Sequence, residues 1–173
     1  VNSEHVFVFP NNKNIILAAE QASALIEGKK IHVIPTKNIP QGLAAALAFN
    51  PDVSVEENIV NMSSVLDTVC AGQVTYAVRS TQVDGFKLKE GDIIGLNHKN
   101  ILTKGDNSSI VAAQLIEKML TPEHTMITLY YGKDVEEEKA KQLKKELQEK
   151  YAECEIECYY GGQPLYYYII SLE

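Results

Sequence analysis

His5-Val6-Phe7-Val8-Phe9-Pro10, Asn11-Asn12-Lys13-Asn14, a helical run from Ile15 to Glu27, Gly28, and then Lys30-Ile31-His32-Val33-Ile34-Pro35: this opening decides the fold. Two short apolar runs rich in β-branched and aromatic residues, each stopped by proline, flank one helical stretch. Asn14 stands where a helix N-cap belongs, and Gly28 lies just past the helix end. A strand–helix–strand unit of about thirty residues predicts a βαβ crossover and a parallel pair.

The same alternation of elements continues along the chain. Pro40 opens a compact helix over Gln41–Phe49, stopped by Asn50-Pro51. Ser54 and Glu57 form a capping box before a longer helix. In it Val55, Ile59, Met62, Leu66 and Val69 recur at steps of four and three, one stripe facing the core or a partner helix, and Gly72 ends it. Val74 to Thr81 reads as a strand. Residues 82–105 change character: Phe86–Leu88, Ile93–Leu96 and Asn100–Leu102 are short strands separated by Glu90-Gly91-Asp92 and Asn97-His98-Lys99, an antiparallel meander. Asn107–Leu120 returns to helix.

The last third reads as strand Met126–Tyr131, helix Val135–Tyr151, strand Glu155–Tyr160 and strand Leu165–Leu172. Asp134 with Glu137 is placed to cap the helix, and Glu137/Lys141 and Glu146/Lys150 stand in the favourable i, i+4 order. Ala140, Leu143 and Leu147 give it one apolar edge. The expected fold is a single α/β domain over 1–173. Its sheet is mostly parallel and flanked by helices, with 82–105 as an antiparallel insertion or edge.

At 173 residues the chain can fill one good core, and its 45% apolar and 23% charged residues are ordinary for a globular protein. No run approaches the roughly 18 apolar residues of a membrane span. The opening Val1-Asn2-Ser3-Glu4-His5 carries no secretory signal, and the missing initiator methionine reads as a piece of a longer polypeptide. A net charge of −7, with Arg79 the sole arginine, argues against nucleic acid. Three cysteines, an odd number, fit a reducing, cytoplasmic setting better than a disulfide framework. Cys154 and Cys158 fall on one alternating strand, about 13 Å apart at strand rise, too far to share a zinc.

The search for chemistry leaves a short inventory. Asn11, Asn12 and Lys13 lie between a strand and a helix N-terminus. That is either an anion-binding loop or an ordinary polar turn. Thr36, Lys37 and Gln41 lie in a proline-stiffened loop after the second strand, which should fall beside the first loop at the ligand-binding edge of a parallel sheet. Arg79 either clamps a carboxylate or phosphate, or forms a structural salt bridge with Asp84, Asp92 or another acid. The four histidines are scattered, no serine elbow or phosphate-binding glycine loop is present, and nothing assembles nucleophile, base and oxyanion site. No catalytic or metal-ligating residue is assigned.

Recognition chemistry is richer. Tyr159-Tyr160-Gly161-Gly162-Gln163-Pro164-Leu165-Tyr166 is a turn that two glycines permit and a proline stiffens. Nine tyrosines occur, eight of them in the final third. Tyrosine offers contact area at low entropy cost, so Tyr131, Gly161, Gly162, Gln163 and Tyr166 are the candidate partner surface.

Pro10-Asn11-Asn12-Lys13-Asn14-Ile15, Pro35-Thr36-Lys37 with Pro40-Gln41-Gly42, Thr75-Tyr76-Ala77-Val78-Arg79, Tyr130-Tyr131-Gly132 and Gly161-Gly162-Gln163-Pro164-Leu165-Tyr166 appear in one order. Together they resemble the C-terminal region of the dihydroxyacetone-kinase-like, ATP-binding subunit of bacterial fatty acid kinase. The resemblance runs from about residue 5 to the end. It implies a DegV-like fold, also named a phosphatase-like domain, within a phosphotransferase whose ATP and Mg belong to a kinase domain outside this sequence. It further implies a docking module, not itself an enzyme, whose partners are a DegV-like fatty-acid-binding protein and the other domains of its own chain. Two alternatives stay open: a lipid- or anion-binding, possibly phosphatase-like site at the two loops, and a structural module that forms a homodimer.

Overall fold

β1 (His5–Val8) and β2 (Lys30–Val33) pair in parallel, joined by α1 (Ile16–Ala24), as the opening residues predict. α2 (Ile39–Leu47) and α3 (Val55–Ser64) pack on one face of this pair around Ile34, Ala45, Met62 and Leu66. In this computed structural model the chain divides into two compact units, Val1–Val69 and Cys70–Glu173, where the sequence reading has one domain. The structure describes residues 2–97 and 100–173; His98 and Lys99 of the expected turn lie outside the described residues.

The helix boundaries correct the sequence reading at the first two helices and again, in length, at the third. Asn14 does not cap α1: Ile15 holds the cap position without a side-chain bond, and the Asn14 N–H donates to Asn12 Oδ1 at 2.9 Å. α2 starts two residues early because Asn38 caps it, its Oδ1 accepting the Gln41 N–H at 2.9 Å. α3 is capped by Ser54 as predicted, Oγ accepting the Glu57 N–H at 3.1 Å, but it stops at Ser64. The apolar stripe nevertheless continues, since Met62 and Leu66 enter the core of this unit.

The second unit is a six-stranded sheet in the order β7-β6-β3-β10-β8-β9. Its strands are β3 (Cys70–Tyr76), β6 (Ile93–Asn97), β7 (Ile101–Gly105), β8 (Met126–Tyr131), β9 (Glu155–Tyr160) and β10 (Tyr168–Leu172). Between β3 and β6 a separate hairpin, β4 (Thr81–Val83) with β5 (Phe86–Leu88), turns at Asp84-Gly85, both at positive φ. α4 (Ser108–Met119) and α5 (Glu137–Lys150) cover one face, and their apolar edges meet Tyr168, Ile170, Leu129 and Ile156 in the main core.

The α/β class holds, but the expected mostly parallel sheet does not. Only β8 and β9 run parallel in the larger sheet; every other neighbour is antiparallel. The reason is the closing strand. β10 inserts between β3 and β8, running against both, so it separates strands that would otherwise form a parallel set. The 82–105 segment is part edge and part insertion: β6 and β7 form one side of the sheet, while β4–β5 stands outside it.

Local chemistry explains the remaining departures. Asn107 caps α4, its Oδ1 accepting the N–H groups of Ser109 and Ile110 at 2.9 and 3.1 Å. α5 begins at Glu137 with Glu136 at the cap and no side-chain bond, so Asp134 is not its cap. Lys141 pairs with Glu137 at 2.8 Å as expected, whereas Lys150 reaches across to Glu117 at 2.8 Å and leaves Glu146 to Gln142. Gly72, expected to end a helix, sits inside β3, where a Cβ would stand 3.0 Å from Leu115 and Met119. Among the described residues no helix is long and apolar enough to cross a membrane.

Candidate functional site

In the first unit the two predicted loops do meet. The Asn11 N–H donates to Thr36 Oγ1 at 2.9 Å, and Thr36 is fully buried. Gln41 closes the cluster: its Oε1 accepts the Lys37 N–H and its Nε2 donates to the Leu66 carbonyl, both at 2.8 Å. Asn11 holds a left-handed backbone at φ 54°, which its short polar side chain tolerates better than most residues. Its amide lies directly on Gly42, where any Cβ would collide with Oδ1.

Most of the polar groups of this cluster bond each other instead of facing outward. The one exception is Asn11 Oδ1, buried and with no donor. Asn12 and Lys13 are exposed on the turn, and Lys37 contributes its backbone while its side chain is exposed. The geometry is therefore a latch with one unmet acceptor. Gln41→Leu should expose its cost: the Lys37 N–H and Leu66 carbonyl lose their partner, lowering stability by about 2 kcal/mol. Thermal unfolding of the variant checks this.

Arg79 belongs to the other unit and is exposed. Neither expected acid partner takes it. Asp92 binds Lys104 Nζ at 2.6 Å, and Asp84 Oδ2 accepts the Ile101 N–H at 2.7 Å. The Lys104 ammonium and the Lys89 N–H hold the Asp92 carboxyl below its usual range. Arg79 makes no ion pair among the described residues. Its predicted structural salt bridge is thus corrected.

The second unit builds a different kind of surface at one end of its sheet. β3, β8 and β9 all end there and β10 begins there. The turn after β9 is lashed to its neighbours by backbone bonds. The Tyr131 carbonyl accepts from Gly161 N at 2.9 Å and Gly162 N at 3.3 Å, and the Gly132 N–H donates to the Tyr167 carbonyl at 2.9 Å. Gln163 adds a side-chain tie, Nε2 to the Tyr130 carbonyl at 2.8 Å, and its own carbonyl accepts Lys133 N at 3.2 Å. On the other side Thr75 Oγ1 donates to the Leu165 carbonyl at 2.7 Å.

What this frame holds outward differs from the predicted list. Tyr131 and Tyr166 are half-buried, and Gln163 works inward as a brace. Gly161 of that list is exposed, as is Pro164, and the large exposed side chains are Tyr160, 65% accessible, Leu165, 59% accessible, and Tyr159. Tyr160 lies 5.3 Å from the Tyr131 ring, centroid to centroid, and Gly162 packs close to the Tyr160 ring. Leu165 sits at φ 71°, a backbone region that an aliphatic residue occupies only under constraint. Burial pushes the phenols of Tyr130 and Tyr168 up, so they act as neutral groups; Tyr168 meets Ser109 Oγ at 2.9 Å. Leu165 could not have been found from sequence, because its exposure follows from the tie to Thr75.

The FakA-like C-terminal family, the C-terminal region of a fatty acid kinase component, matches residues 1–173. The chain belongs to this family. Protein YloV of Bacillus subtilis is 44% identical over 173 residues, covering 100% of this chain and 31% of that protein. An uncharacterized protein of Staphylococcus haemolyticus is 35% identical over 170 residues, with 98% and 31% covered. This FakA-like chain therefore spans about a third of the length of the curated relatives it matches. Among solved structures, the DegV family protein Cg2579 of Corynebacterium glutamicum aligns at TM-score 0.68 and 16% identity, over 98% of this chain and 74% of that one. The Streptococcus pneumoniae fatty acid kinase B3 protein, solved with linoleic acid, aligns at 0.66 and 14%, over 99% and 72%. At such identities the likeness is one of fold, and the fold is that of DegV proteins.

Proposed function

We propose that this chain is the docking module of a fatty acid kinase. It engages a DegV-like, fatty-acid-carrying protein and brings the carrier's acyl carboxylate to an ATP site elsewhere in the kinase. The observation that carries the reading is the turn at 159–166: its backbone is fixed to β8 and β3, yet it presents Tyr160 and Leu165 to solvent. An aromatic and an aliphatic group held out on a fixed backbone lower the ordering cost of binding, which favours hot spots. Such a module accelerates phosphoryl transfer by positioning, without touching the bond that breaks. Kinship with a fatty acid kinase component and the DegV fold of a fatty acid kinase B3 protein support a partnership between two related folds.

Titration calorimetry of the intact kinase component with a fatty-acid-loaded DegV-like carrier should give saturable heat. The heat should vanish when residues 70–173 are removed. Undiminished binding by the shortened protein would defeat the proposal.

A second reading has its own observation. The buried, donorless Asn11 Oδ1 beside Thr36 suits a ligand carrying a hydroxyl or a protonated carboxyl, and so favours a small lipid or acid at the loops of the first unit. Fatty acid that co-purifies with the intact protein and is lost with Thr36→Val would favour it.

A further inference from the structure

The first unit is an unfinished layer. Among the described residues its sheet has two strands, and an isolated two-stranded sheet is marginal in water. Parallel sheets bury both faces, yet only one face of this one is filled. Ile34 is buried in the core under α2 and α3 with Phe7 and Phe9 packed against it, whereas Val6, Val8, Ile31 and Val33, also only partly covered, join no core cluster. α1, the helix that joins the two strands, buries none of its residues, and Leu17 remains 65% accessible.

The two open edges differ. Lys30 N donates to the Glu4 carbonyl and Ile34 N to the Val8 carbonyl, so the even-numbered residues of both strands form the ladder. The N–H groups of His5 and Phe7 therefore point away from β2, and those of Ile31 and Val33 away from β1. On β2 the next outward position is Pro35, which has no N–H and blunts that edge. The edge of β1 carries no such block.

We propose that the open edge of β1 is the docking site for a parallel β-strand contributed by the part of the kinase component that precedes this sequence. Chain length points to this occupant: curated relatives extend well beyond the matched third, and the DegV-fold structures have roughly a quarter of their length with no counterpart here. Handedness makes the assignment specific. A right-handed crossover entering β1 from an added neighbouring strand lies on the same face as α1. That crossover covers Val6, Val8 and Leu17, the apolar surface left half-bare.

Hydrogen exchange on the intact protein over a range of concentrations tests this, with the carrier left out so that the docking reading is not involved. The His5 and Phe7 amides should exchange on the order of 100-fold or more slowly than those of the exposed Asp84-Gly85 turn. A photo-crosslinker replacing Leu17 should join a peptide upstream of this sequence in the same molecule. Exchange at the rate of the turn, protection only at self-associating concentrations, a crosslink to a second copy, or no crosslink would each overturn it.

Discussion

Gly132→Ala is expected to destabilise the second unit by roughly 3 kcal/mol or more, among the larger costs for one added methyl group. Gly132 follows β8 beneath the turn at 159–166. A Cβ there would press into the Tyr166 carbonyl oxygen and stand 2.7 Å from that of Gln163. Both obstacles are backbone atoms, and both belong to the segment that Gly132 N and Lys133 N tie down. The methyl group therefore cannot be accommodated by a rotamer change. Either β8 separates from the turn or the turn leaves β3 and β10. Chemical denaturation should show a lower midpoint, and carrier affinity should fall with it, because the surface depends on the frame. A variant of unchanged stability would show that the turn is mobile and that its rigidity contributes nothing.

How much of this is legible in the sequence follows from which forces are local. β8 and β9 emerge with their predicted bounds because alternation, length and flanking turns all agree there. β3 does not. Leu66 and Val69 continue the helical spacing of α3, and burial demands apolar residues whether the chain stays helical or folds back. Cys70-Ala71-Gly72-Gln73 has little intrinsic strand preference and becomes a strand because β10 and β6 pair with it on either side. The direction of the sheet is hidden for a related reason: side-chain alternation reports which face is buried, not which distant strand inserts between two others. At the candidate site, side-chain chemistry names two loops that meet in the structure but not the roles their residues take. Thr36 and Gln41 read as groups at a ligand-binding edge, and the structure uses both as internal ties. Gln163 reads as a recognition group and serves as a brace. Polar residues that hold a loop and polar residues that hold a ligand have the same composition.

Replacing the two exposed apolar groups while keeping their frame separates docking from folding. Tyr160→Ser with Leu165→Asn should weaken carrier binding about 10- to 100-fold, the loss expected when two anchors of a hot spot are removed. Stability should change by about 1 kcal/mol or less, because both side chains are mostly in water and Tyr160 gives up mainly its contact with the Tyr131 ring. Asparagine is chosen at 165 because it tolerates the left-handed backbone that leucine occupies at φ 71°. The Thr75 bond is to the Leu165 backbone carbonyl and survives the exchange. Calorimetry with the carrier and thermal unfolding read the two effects independently, and together with Gly132→Ala they form a logical pair. One variant removes the contact groups from an intact frame; the other disturbs the frame and leaves the groups. If binding falls in both while stability falls only in the glycine variant, preorganised shape at this end of the sheet is the source of affinity. Full binding by the Tyr160/Leu165 variant would move the docking surface elsewhere on the molecule.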